Sequence, residues 1–141
     1  HDENISYEKM VDIIGKNIAE KLKDLSINIY IKARDYAETK GIIIADTKFE
    51  FGLFEDKIIL IDEILTPDSS RFWPKNTYQP GKSQISLDKQ YIRDYLVSLD
   101  WENKDKIPEL PFDVVRNTFL KYKEAYEVLT GKKFRIEDIE R

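Results

Sequence analysis

Apolar residues at Ile18, Leu22, Leu25, Ile29, Ala33 and Tyr36 recur at spacings of four and three, which predicts a helix over residues 17–40. The segment INIYI at 27–31 alternates as a strand would, but the flanking period and the Gly41 stop favour the helix. A shorter helix precedes it, with Ser6 as N-cap, Lys9 and Met10 inside, and an end near Gly15. From Gly41 the period changes to two. IIIADTKFEFGLF and IILIDEI, joined by Glu55-Asp56-Lys57, read as two strands of a hairpin. All five prolines fall between positions 67 and 111, so the middle is expected to be largely irregular. SLDKQYIRDYLVSLDW interrupts it with a helix capped by Ser86 or Asp88, whose face is Tyr91, Ile92, Tyr95, Leu96 and Leu99. The last helix has Pro111 in its first turn, turns Val115, Phe119, Tyr122, Tyr126 and Leu129 inward, and closes at Thr130-Gly131. These elements predict an α+β fold, an antiparallel sheet with packed helices.

At 141 residues the chain is one domain by size, or part of a larger one, and 41% hydrophobic residues suffice for a core. No apolar run approaches the ~20 residues of a membrane span, and nothing resembles a signal peptide. The absence of Cys removes disulfides, thiolate metal sites and Cys nucleophiles, and fits a reducing cytoplasm. A net charge of -4 without a basic stripe argues against nucleic-acid binding. Charge is uneven along the chain: residues 41–75 hold seven acids against four bases, while the flanking segments are nearly balanced. The chain starts at His1 without Met and runs straight towards a helix, which reads as a fragment or a processed chain. His1 is the single histidine and, at the terminus, no candidate catalytic base.

The acidic excess points to the hairpin. Strand alternation places Asp46, Lys48 and Glu50 on one face and Thr47, Phe49 and Phe51 on the other. A three-residue turn at 55–57 would pair Phe54 with Ile58 and Glu50 with Asp62; a two-residue turn would put Asp62 beside Phe49. Opposed carboxylates repel unless a cation bridges them, so the expectation is the three-residue register with Mg²⁺ between Glu50 and Asp62 and Lys48 nearby for a phosphate. A half-buried hairpin with a solvated charged face is the alternative. DEILTPDSSRFWP follows the return strand and offers three carboxylates, a Thr, two Ser and an Arg between Asp62 and Arg71.

These residues carry a resemblance. IIIADTKFEFG followed by LIDEILTPDSSRFW resembles phosphoribosylaminoimidazole-succinocarboxamide synthase, the SAICAR synthetase family of purine biosynthesis, and the likeness continues through SLDKQYIRDYL and LPFDVVRNTFLKYKEAYEVLTGK. It implies an ATP-dependent ligase that joins L-aspartate to carboxyaminoimidazole ribotide (CAIR) through an acyl phosphate, giving SAICAR, ADP and phosphate. It also implies a fold distantly like the nucleotide-grasping ligases and kinases, an analogy of fold only. By this resemblance Glu50 and Asp62 are metal and nucleotide carboxylates, and Asp62 and Lys48 are catalytic. Lys48 would steady the substrate carboxylate, while Arg71 and Arg93 would hold ribotide anions. Asp68 and Ser70 would complete the substrate pocket; Ser69, Lys89 and Gln90 belong to the motif without assigned contacts. Asp2 is a further metal candidate, although HDEN departs from the family's HDP.

The resemblance begins at the first helix, so residues 1–141 correspond to a C-terminal substrate- and nucleotide-binding domain, and the family's N-terminal nucleotide-binding domain is absent. The isolated chain should therefore be inactive alone, with that N-terminal half as its partner and a homo-oligomer, by default a dimer, as the assembly. No nucleic-acid or membrane partner is expected. The alternative is a non-catalytic binding or assembly module that keeps the ligase fold. Several residues have plainer roles open to them: Asp46 as a backbone anchor, Ser69 and Ser70 as turn caps after Pro67, and Phe72 and Trp73 as packing.

Overall fold

A computed structural model describes residues 3–99 and 108–135. Helix α1 spans Tyr7–Ile14, and its N-cap Ser6 accepts the Lys9 N–H at 3.2 Å, as the Ser-x-x pattern predicts. Gly15, at φ 83, separates it from α2, Lys16–Thr39. The 27–31 segment is helical: its alternation is overridden by the helical face on which Tyr30, Ala33 and Ala37 pack on the core.

The strands depart from expectation. The run from Ile42 to Phe54 is not one strand but two, β1 (Ile42–Thr47) and β2 (Glu50–Phe54), and they lie in different sheets. β1 pairs antiparallel with β4 (Ser70–Pro74), so SRFWP is a strand where an irregular stretch is predicted. β2 pairs with β3 (Lys57–Ile61). Pro74 ends β4 at the last rung, where the missing N–H is tolerated. A register shift between Ile44 and Asp46 leaves Ala45 as a bulge.

The hairpin register is the second correction. The turn has two residues, Glu55 and Asp56, with φ 48 and 60. Phe54 therefore faces Lys57 and Glu50 faces Ile61. Two-residue loops with both φ positive match the strand twist, which outweighs the poor fit of these side chains to that conformation. Asp62, at φ 63, has left the ladder, so it is not opposed to Glu50 and the register argument for an ion between them does not hold.

After the short 3-10 turn at Lys75–Thr77, α3 covers Gln90–Ser98 and α4 Phe112–Thr130, the latter closed by Gly131 at φ 69. Positions 100–101 of the predicted α3 lie outside the described residues. On α4 the inward face is only partly the predicted one: Leu129 packs on the core and Tyr122 is half-buried, but Val115, Phe119 and Tyr126 are exposed, and the buried residues are Val114 and Ala125. Ile42 and Ile44 of β1, Phe72 of β4, Leu87, Ala37 of α2 and Ala125 of α4 form one core. Phe72 is fully buried and Trp73 stacks on Tyr78 at 5.8 Å, in line with their predicted packing roles. No described helix is long and apolar enough to cross a membrane.

Candidate functional site

The β1 bulge turns Asp46 towards its cross-strand neighbour Arg71. The Arg71 guanidinium donates from Nε to both Asp46 oxygens, at 2.9 and 3.0 Å, and from a second nitrogen to Oδ2. This fork holds the Asp46 carboxyl below the usual carboxylate range and raises Arg71 further. Asp46 is thus tied to the Arg71 side chain, and the Arg71 backbone N–H adds to the lowering of its pKa.

The loop after β1 is fastened to the TPDSS turn, since the Lys48 N–H donates to the Ser69 carbonyl at 3.0 Å. That turn caps itself. Thr66 Oγ1 accepts from the Asp68 and Ser69 N–H groups, Ser69 Oγ accepts the Thr66 N–H, and the Ser70 N–H returns to the Thr66 carbonyl. Ser69 is therefore a turn former, and the buried Ser70 hydroxyl is shared with Thr47 at 2.9 Å. Helix α3 joins the same turn: the Lys89 N–H reaches the Pro67 carbonyl and its ammonium reaches Asp68 at 2.8 Å. Lys89 is the main cause of a lowered Asp68 pKa.

These ties enclose a cavity of about 510 Å³. Lys48, Arg71, Lys89 and Arg93 supply its cations; Asp46, Glu63, Asp68 and Asp88 its carboxylates; Ser69 and Ser70 its hydroxyl-bearing wall. Three of the cations are neutralised internally, Arg71 by Asp46, Lys48 by Glu50 at 2.6 Å, and Lys89 by Asp68. Among the described residues Arg93 has no ion-pair partner. An entering anion would exchange for carboxylates already held by planar or flexible cationic groups.

Lys48, Asp68, Ser70, Arg71 and Arg93, all predicted from the sequence, line this cavity together. Glu50 and Asp62 do not line it, and Asp2 lies outside the described residues. Both carboxylates nevertheless act on Lys48, whose ammonium is raised mainly by its hydrogen bond to Glu50 and more weakly by Asp62 and Glu63. Glu63 is a cavity residue for which the sequence signalled no role, although it is adjacent to Asp62. A hydrogen bond with Asp62 is the main cause of its raised carboxyl pKa. Asp88 also lines the cavity, where the sequence suggested only a helix cap.

Among the described residues no three His, Cys, Asp or Glu side chains converge as a metal cage. Mg²⁺ commonly takes one or two carboxylates and completes its shell with water and substrate phosphates. Asp62 and Glu63, which are hydrogen-bonded neighbours, are two hard oxygen donors of that kind, whereas Glu50 is held by Lys48.

An α+β chain with a cation-lined anion cavity beside a cluster of carboxylates is the kind of site that handles phosphorylated substrates. A profile of the SAICAR synthetase family matches residues 1–110. Phosphoribosylaminoimidazole-succinocarboxamide synthases of Geotalea uraniireducens and Geobacter sulfurreducens are 62% and 58% identical over 132 residues. Each alignment covers 94% of this chain and 45% of the relative. Among solved structures, the SAICAR synthase of Saccharomyces cerevisiae complexed with SAICAR superposes with a TM-score of 0.83 at 48% identity, over 94% of this chain and 45% of that one. A SAICAR synthetase in complex with ADP superposes with a TM-score of 0.70 at 32% identity, over 96% and 48%. The chain belongs to the SAICAR synthetase family, and it spans about 45% of the length of the curated relatives it matches.

Proposed function

We propose that this chain is the C-terminal, substrate- and nucleotide-facing part of a SAICAR synthetase, an ATP-dependent ligase of purine biosynthesis acting in the cytoplasm. The observation that carries the reading is the convergence of Lys48, of Asp68 and Arg71, and of Arg93, from three separate segments, on one cavity. The family membership supplies the reaction. The CAIR carboxylate attacks the γ-phosphorus of ATP, releasing ADP and forming an acyl phosphate. The amine of L-aspartate then attacks the acyl carbon; the C–N bond forms, the C–O bond to phosphate breaks, and the amine loses its proton.

Arg71 and Arg93 bind the anionic oxygens of the ribotide, for which the guanidinium plane is suited. Lys48 exchanges Glu50 for the substrate carboxylate and steadies it for phosphorylation. Asp68, held by Lys89, orients the substrate at the turn, and Ser70 supports that wall through Thr47. Asp62 and Glu50 are the carboxylates that the family resemblance assigns to Mg²⁺; with no third carboxylate converging among the described residues, water and nucleotide phosphates would supply the remaining oxygens. The ion would neutralise charge on the phosphoryl group in transfer.

The rest of the family's length would form the opposite wall of the nucleotide cleft, with a homodimer as the working assembly. The β2–β3 ribbon supports such a covering, since Leu53 and Phe54 are 63% and 61% exposed on a sheet of only two strands.

The test is formation of SAICAR from CAIR, L-aspartate, ATP and Mg²⁺ by the folded chain alone, then with a separately made N-terminal half. Product only in the mixture is the expected result. Association of the halves without product would instead indicate a non-catalytic module.

A further inference from the structure

Among the described residues Asp88 is the one ionisable side chain that is fully buried, at 1% exposure. A buried charge is strongly unfavourable unless hydrogen bonds replace its water. Asp88 has them on both oxygens. Oδ2 accepts the Phe72 N–H at 3.1 Å and the Ser86 hydroxyl, while Oδ1 accepts the Gln90 N–H at 2.8 Å. Phe72 follows Arg71 on β4. Gln90 opens α3, and Arg93 sits one turn on, its N–H bonded to the Lys89 carbonyl at 3.1 Å. One carboxylate therefore clamps the two backbones that carry the two arginines, and it lines the same cavity as they do.

A helix cap alone would need only one of these bonds, and a neutral Ser or Asn could make it. Two oxygens each receiving a backbone N–H need a carboxylate. An Asn amide would turn its own N–H groups towards a donor. The negative charge also acts on Arg71.

The geometry points to Asp88 as a positioning residue for anion recognition, one that sets the separation of Arg71 and Arg93 so that both meet the same phosphorylated substrate. This rests on the reading of the cavity as the ribotide site. In the enzyme of full family length containing this chain, Asp88→Asn should raise the KM for the ribotide roughly ten- to a hundredfold, the scale of lost hydrogen bonds to a charged group. The KM for ATP should stay within about twofold, because the clamp touches neither Glu50 nor Asp62. Ala19→Gly, at a fully buried position of α2 outside the core that holds Phe72, serves as the control; it should lower the melting temperature and leave both KM values unchanged.

If Asp88→Asn does not fold, Ser86→Ala takes its place. It removes one donor and leaves both backbone ties, and should raise the ribotide KM about threefold with ATP unaffected. The inference is overturned if the variant loses stability as Ala19→Gly does with no change in ribotide KM, or if both KM values rise together. Calorimetric binding of ribose 5-phosphate to the same proteins separates this inference from the reaction. An inactive enzyme that binds the probe, and binds it more weakly only in the clamp variants, refutes the reaction and supports the clamp. Equal binding by all variants, or none by the unchanged protein, overturns the clamp.

Discussion

Arg71 and Asp46 show how one carboxylate can hold an arginine in a defined fork. In the proposed site the guanidinium would exchange this carboxylate for an anion of the substrate. Both side chains are half exposed, so the pair should contribute under about 1 kcal/mol to stability. Because the folded pKa of Asp46 is lowered, this contribution is present above the usual carboxylate range and is lost as pH falls through the lowered value. Urea unfolding of Asp46→Asn should show a small deficit at neutral pH that disappears in acid. Arg71→Lys keeps the charge but loses the fork. In the full-length enzyme it should raise the ribotide KM about tenfold with little change in kcat, measured by steady-state kinetics.

At the scale of elements, the turn decided what the strand pattern left open. Alternation placed Asp46, Lys48 and Glu50 on one face, but a turn shorter by one residue shifted every pairing beyond it. Glu55 and Asp56 occupy positive φ at some cost, since side chains with a Cβ are crowded there. Replacing them with Asn-Gly, the pair best suited to this turn, should stabilise the ribbon by about 1 kcal/mol. Thermal unfolding with a raised midpoint would bear this out, and a lowered one would mean that the native turn residues make compensating contacts. The same scale explains the divided run from Ile42 to Phe54. Nothing in its alternation marks Lys48 and Phe49 as a break; β1 is drawn to β4 by Ile42 and Ile44 packing around Phe72.

For the whole molecule the exposed ribbon is the face that the proposed N-terminal half would cover. Leu53, Phe54, Ile59, Leu60 and Ile61 are all exposed, and a ribbon of two strands is marginal by itself. The isolated chain should bind a hydrophobic dye such as anilinonaphthalene sulfonate. Adding the separately made N-terminal half should suppress that fluorescence at the ratio at which product appears. Dye binding that is unaffected while activity is restored would show that the two parts meet elsewhere.

The sequence by itself determined the helices, most of their limits, the antiparallel α+β class and five residues of the cavity. Caps and glycines are local: Ser6, Gly15 and Gly131 act within a turn of where they stand. Lys48, Asp68, Ser70, Arg71 and Arg93 were legible as candidates through the family resemblance of DTKFEFG, DEILTPDSSR and SLDKQYIRDYL, and they line one cavity. Tertiary structure decided the rest because it depended on distant partners. SRFWP became a strand because β1 offered it a hydrogen-bonded neighbour. On α4 Ala125, and not Tyr126, joins the core because Phe72 and Leu87 fix where it lies. Asp88 looked like a helix cap until β4 supplied the Phe72 N–H, since a carboxylate's role is set by the donors that surround it once it is buried.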